Sequence, residues 1–245
     1  MQTAIFSSLK KLTFPAMMLI LSSCVGFSQN IRGDGNITTT SRNVSIFHEI
    51  RASGVVHLFL KQDSIIRVRV KTDNNLQPYV VTENRGDALV IREKDNINLR
   101  PTDQIQVYVS APDLRSICIS GACALTSENN LQVPSFRLEA SGASKLNLIV
   151  TTDAFRASCS GATDAIIQGS SRTAEIEISG AGKLKADHFQ VDQLKLEVSG
   201  AANAEVYAEK LLDADVSGAG KVTYHGHPQV NESISGSGKI SGGQP

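Results

Sequence analysis

The chain has no tryptophan, and aromatic residues make up only 5% of its 245 positions. Stacking platforms of the kind that hold sugars or unpaired bases are therefore scarce, so a binding surface made from this sequence has to be mostly polar. Net charge is missing too: 24 Lys and Arg balance 24 Asp and Glu, which removes the electrostatic footprint of a nucleic-acid binder. Cysteine is sparse, and once Cys24 is set aside with the leader described below, Cys118, Cys123 and Cys159 remain. Three thiols make no disulfide framework. Cys159 falls at an apolar repeat position and reads as a small buried hydrophobe, while Cys118 and Cys123 flank one corner and could pair across it. No window holds an apolar period of 3.6 for three turns, which makes helix a poor competitor. What is present is 41% hydrophobic residues, enough to bury the core of one large or two small domains.

The longest apolar run, Leu12 to Leu21, follows Lys10 and Lys11 and is too short to span a bilayer. It reads as the centre of an export leader. Two processing sites compete. Leu21-Ser22-Ser23-Cys24 resembles a lipobox, in which Cys24 would carry the lipid; Gly26 and Ser28 instead suit ordinary cleavage before Gln29. The first route gives an anchored envelope protein and the second a soluble one. Either way the expected location is extracytoplasmic: periplasm, outer membrane or secreted, with membrane contact only through a lipid on Cys24.

The strongest signal is a repeat. Ser120-Gly121, Ser141-Gly142, Ser160-Gly161, Ser179-Gly180, Ser199-Gly200, Ser217-Gly218 and Ser235-Gly236 follow one another at 18 to 21 residues, with Ala after the Gly in all but the last. Two residues before Gly the column reads Ile119, Ala140, Cys159, Ile178, Val198, Val216, Ile234. Four before and four after Gly are apolar as well, with Glu232 breaking the pattern at the end. Alternation with period two on both sides of a small corner describes two short strands turned inward, stacked coil on coil. The predicted fold is all-β: a parallel β-helix, or β-solenoid, of about 19 residues per coil. Gly supplies backbone angles that other residues avoid, and the Ser hydroxyls are placed to hydrogen-bond within the stack.

Residues 29–112 are β-rich but less regular, and are expected to cap the solenoid of 113–245, with 1–28 as the leader. Strand-like runs lie at Val55 to Leu60, Ile65 to Lys71, Tyr79 to Thr82, Ala88 to Arg92 and Ile105 to Val109. Ser53-Gly54 reads as an early, isolated copy of the corner.

The outward columns carry the patterned charge. Three residues before Gly stand Glu139, Glu177, Glu197 and Asp215, and three after stand Lys145, Lys183, Lys221 and Lys239. A solvated wall with ion pairs across the corner explains this arrangement. A cation shared by the stacked carboxylates of Glu177, Glu197 and Asp215 is the sharper alternative.

Several stretches together resemble the exported bacterial proteins described as putative auto-transporter adhesins with a head GIN domain. They are Gly33 to Asn36 (GDGN), Arg42 to Phe47 (RNVSIF), Asn75 to Tyr79 (NLQPY), Val107 to Leu114 (VYVSAPDL), the Ser-Gly-Ala corners and Tyr224 to Pro228 (YHGHP). The resemblance spans essentially the whole mature chain; relatives often have Ser-Gly-Gly at the corner. It implies a right-handed parallel β-helix in an envelope or secreted setting, and the family name suggests adhesion.

Other motifs weigh less. Arg32-Gly33-Asp34 and Arg85-Gly86-Asp87 are integrin-type triplets that turn chemistry explains. His225 and His227 share a face of an extended segment but lack a third metal ligand, with His188 two coils away. Asp63-Ser64-Ile65 resembles an O-glycosylation acceptor. No five-residue Gly-x-Ser-x-Gly elbow occurs, and seven repeated serines suit a scaffold better than a nucleophile. The expectation is a binding or adhesin-like module with no catalytic residues, cofactor or dedicated metal, whose partner is a glycan or an envelope or surface protein. The alternatives are a β-helix polysaccharide lyase or hydrolase and a structural spacer.

Overall fold

The Ser-Gly pairs stand directly on one another. In the computed structural model, which describes residues 29–243, Ser53, Ser120, Ser141, Ser160, Ser179, Ser199, Ser217 and Ser235 form one in-register parallel ladder, and the glycines after them form another. The protein is a parallel β-solenoid. At Gly142 φ is +93°, and a Cβ would lie 2.5 Å from the carbonyl oxygen of Gly121 in the coil beneath. Both the backbone angle and the close approach demand glycine there. The next residue locks the corner: the Ala143 amide donates to the Gly121 carbonyl at 3.0 Å, and Ala162 repeats the bond on Gly142 at 2.9 Å.

The expected inward columns are buried from Ile117 and Ile119 up to Ala214 and Val216, and from Leu125 up to Val222. A further inward column, two residues after Gly, escapes the sequence pattern because it is chemically mixed: Val56, Cys123, Ser144, Thr163 and Ala202 are buried there. Space inside the bend keeps this column small. Cys123 Sγ donates to the Ser120 carbonyl at 3.3 Å, Ser144 Oγ to Ser141 at 3.5 Å and Thr163 Oγ1 to Ser160 at 3.3 Å. The polar groups that brace the corner thus belong to this column. The hydroxyls of the Ser-Gly serines make no side-chain hydrogen bond among the described residues, since period two places them on the outer face. The same alternation parts Cys118, which faces out, from Cys123, which faces in; these two and Cys159 are free thiols. Burial pushes the Cys159 thiol up to about 11, as suits a core position.

Three phenylalanines pack together within the core. Phe136 and Phe155 stack at 6.2 Å, and Phe189 meets Phe155 edge-on at 5.0 Å. Ala174, the register partner of Phe155, leaves room for that third ring. Each buried Phe contributes about 2–3 kcal/mol of apolar transfer free energy.

The parallel stack runs past the boundary expected between 112 and 113. Glu49–Gly54 pairs in parallel with Ser116–Gly121 on one side, and its residues 49–52 pair with 88–91 on the other; Val56–Gln62 pairs with Ile105–Ala111. Ser53-Gly54 is therefore a full member of the ladder. Residues 63–115 are inserted between its coil and the next, and this insertion hides the period in the sequence. Antiparallel strands close that end: Ile37–Arg42 lies on Arg67–Asp73, which lies on Ile105–Ala111, and Val80–Arg85 lies on Ala88–Glu93. A 3-10 turn, Asn74–Tyr79, carries buried Leu76 and Gln77. Gln77 Nε2 donates to the carbonyls of Thr38 at 2.9 Å and Val70 at 3.1 Å. These pairings satisfy the edge that an uncapped stack would expose. The last coil, Gln229–Gly236 with Lys239–Gly242, has no strand beyond it among the described residues. Residues 1–28, where the sequence places the expected leader and Cys24, lie outside the described residues.

Candidate binding surface

Two outer walls meet at each corner: wall A is the strand that runs into the Ser-Gly pair, and wall B the strand that leaves it. Outward residues on wall A form ladders of serine, of mainly acidic residues, and of mixed charge at the first, third and fifth positions before Gly. A shallow trough of about 520 Å³ crosses this wall. Its lining mixes outward Ala154, Thr173 and Gln193 with apolar Phe155, Leu194 and Leu211, and Arg137, Arg156, Glu175 and Lys195 stand beside it. The rim is cross-linked by ion pairs: Arg156 donates to Glu175, Lys195 Nζ lies 2.7 Å from Glu197 and 3.8 Å from Glu175, and Arg137 Nε lies 2.7 Å from Glu139. The hydrogen bond to Glu197 holds the Lys195 ammonium above its ordinary value. Such exposed pairs add little stability, but they fix where polar groups point.

None of the ion pairs among the described residues crosses the corner from the acidic column to the lysine column, contrary to the pattern expected from the sequence. Residues three before and three after Gly sit on different walls, and their side chains diverge around the bend. Glu177, Glu197 and Asp215 are successive register partners, yet no three His, Cys, Asp or Glu side chains among the described residues converge to hold a metal ion. His225 Nε2 lies 3.0 Å from Glu205 Oε1, and His227 is exposed and apart from it.

Both Arg-Gly-Asp triplets are built into the cap. Gly33 donates its amide to Arg100 at 2.9 Å and packs on Asp73, and the Asp34 amide donates to Asn75 Oδ1 at 3.1 Å. Gly86, with φ +61°, turns the 80–93 hairpin, where Arg85 pairs with Glu83 at 2.6 Å and Asp87 with His48 at 2.6 Å. Ser64 is exposed, its hydroxyl 3.5 Å from Asp63 Oδ1.

One feature of wall B was not foreseen. His57 stacks on Phe59 with centroids 4.0 Å apart, Phe59 stacks on Tyr108 at 4.8 Å, and the Arg69 guanidinium covers Tyr108 at 5.4 Å. Burial pushes the His57 imidazole below its ordinary value, against a hydrogen bond with Gln104. The signal was the matching alternation of residues 56–60 (VHLFL) and 105–109 (IQVYV), which places Phe59 opposite Tyr108. These rings cover one another's faces, so the row stiffens the wall.

Residues 46–228 match the family described as putative auto-transporter adhesin, head GIN domain. The chain belongs to that family. No curated protein matches this head GIN chain. Among solved structures, a putative adhesin from Bacteroides fragilis NCTC 9343 superposes with a TM-score of 0.83 at 19% identity, covering 86% of this chain and 99% of that one. A putative lipid binding protein from Parabacteroides distasonis ATCC 8503 gives 0.75 at 23% identity, covering 88% and 100%. A putative adhesin from the same strain gives 0.72 at 24% identity, covering 87% and 100%. At these identities the likeness establishes a shared fold.

Proposed function

We propose that this head GIN protein is an exported, non-catalytic binding module of adhesin type, and that the wall A trough takes a glycan strand. The observation that carries the reading is the trough itself: a mixed lining, with Thr173, Gln193 and Leu194 in it, flanked by arginine, lysine and carboxylate groups already fixed by their mutual ion pairs. Planar polar groups held in place suit sugar hydroxyls, and a rigid wall lowers the ordering cost of binding. Export fits the leader-like start, with either a lipid on Cys24 or cleavage before Gln29 deciding between an anchored and a soluble form. The family name and the adhesin neighbours favour a surface setting. A lipid chain does not fit the gap among inward residues Ala157, Cys159, Ala165 and Ile167, which amounts to only about 10 Å³, room for a single water.

A glycan array read beside a polysaccharide depolymerisation assay separates the classes. Binding that Arg156→Ala with Thr173→Trp abolishes, with no release of reducing ends, is the expected result. Reducing-end release would instead make the protein a carbohydrate-active enzyme. Silence in both assays would leave the spacer reading in its place.

A further inference from the structure

The charges on the two walls follow a rule that no ion pair among the described residues uses. In the Gly142, Gly180 and Gly218 coils the third residue before glycine is Glu139, Glu177 or Asp215, and the third after it is Lys145, Lys183 or Lys221. Where the acid column lapses to Ser158, the other wall of the same coil carries Asp164; where the lysine column lapses to Asn203, wall A carries Glu197. The fifth positions repeat the rule with their signs exchanged between coils: Glu175 with Lys185 around Gly180, then Lys195 with Glu205 around Gly200. From the Gly54 coil to the Gly236 coil, no coil has like charges at matching positions on its two walls. Glu177, Asp215, Lys145, Lys183 and Lys221 are all exposed and have no ion-pair partner among the described residues.

We propose that these walls meet between copies of the protein, wall A of one against wall B of the next, with coils level and corners side by side. The geometry of the repeat supports this in three ways. Both walls advance one residue per column per coil, about 4.8 Å, so a pairing made in one coil holds along the stack. Columns are counted outward from the corner on both walls, so when the third positions face each other the fifth positions do too. The corners themselves are small and exposed, Ala143, Ala162 and Ala181 among them, which lets two corners come close.

Level register brings together five opposite pairs: Glu139 with Lys145, Glu177 with Lys183, Asp215 with Lys221, Glu175 with Lys185 and Lys195 with Glu205. It sets no like charges opposite each other. A slip of one coil in either direction places Asp164 against Glu139 or against Glu177. Charge of this kind selects register and partner more than it adds affinity. The contact joins unlike surfaces, so it is heterologous; repeated about an axis parallel to the solenoid it makes a ring wherever the rotation closes, with the Ser-Gly-Ala edges innermost. The fifth-column groups Glu175 and Lys195 also border the glycan trough, but the third-column pairs lie closer to the corner, and the self-association does not rest on glycan binding.

Light scattering on the purified protein, in low and then high salt, tests the proposal alongside charge-reversed variants. The wild type is expected to form a discrete oligomer in low salt that dissociates as salt rises. Lys183→Glu with Lys221→Glu should weaken association at least about tenfold, and adding Glu177→Lys with Asp215→Lys should restore it. Lys183→Gln with Lys221→Gln, which removes attraction without adding repulsion, should fall between. All these positions are exposed, and an unchanged thermal midpoint confirms that each variant is folded. A wild type that stays monomeric in low salt, or an oligomer that the double reversal leaves intact or the fourfold exchange fails to rescue, overturns the proposal. None of these results depends on glycan binding, which is read separately.

Discussion

Glu232 stands directly on Ala214, in the column that faces the core, and its carboxylate lies on the outermost described coil. Its inward neighbours along the strand are Val230 and Ile234, the latter 44% exposed. A further strand laid on this edge would bury the carboxylate among apolar groups, so an inward charge here discourages edge-to-edge pairing. Replacing it by valine joins Val230 and Ile234 into one apolar strip. Glu232→Val is expected to associate end to end, seen by light scattering in high salt where contacts between the charged walls are screened. A variant that remains as monodisperse as the wild type would remove the gatekeeper role.

Corner glycines and corner alanines should respond very differently to exchange. Gly142→Ala forces a side chain into positive φ and into the Gly121 carbonyl, and is expected to cost at least about 2 kcal/mol. Ala143 is exposed and contributes mainly its amide, which glycine also has, so Ala143→Gly should cost well under about 1 kcal/mol. Urea unfolding of the two variants in parallel measures both. Equal effects would mean that the corner is not fixed by the coil beneath it.

The alternating columns were legible because each Ser-Gly pair marks the same place in every coil, and inward positions from Ile117 to Val216 follow from counting. Ser53-Gly54 was legible as a corner but not as a neighbour of Ser120-Gly121, since an inserted 63–115 segment separates two coils that touch. The column of Cys123, Ser144 and Thr163 was illegible for another reason. Its constraint is size and a backward hydrogen bond, which thiol and hydroxyl satisfy alike, so no single residue type repeats. The charged columns were visible in the sequence, but the divergence of the two walls was not, and that divergence leaves Glu177 and Lys183 apart within one molecule. The trough and the aromatic row of His57, Phe59 and Tyr108 depend on which coils are adjacent, which one-dimensional spacing does not carry.

Asp73 holds the capped end together. It is fully buried and accepts hydrogen bonds from Thr102 Oγ1 at 2.6 Å, the Thr102 amide at 3.0 Å and the Gly35 amide at 2.8 Å. Burial pushes its carboxyl up, but the bonds from Thr102 and Gly35 outweigh burial and hold it below the ordinary carboxylate value. A folded value below the unfolded one, about 3.9, means that ionised Asp73 stabilises the fold above about pH 4 and that this contribution disappears as pH falls through the folded value. Asp73→Asn keeps the shape but loses the charge and one acceptor, so it should destabilise the protein by about 1–3 kcal/mol at neutral pH. The gap between wild type and variant should then shrink in urea titrations below about pH 4. A gap of constant size across that range would show that Asp73 acts through packing against Gly33 rather than through its charge.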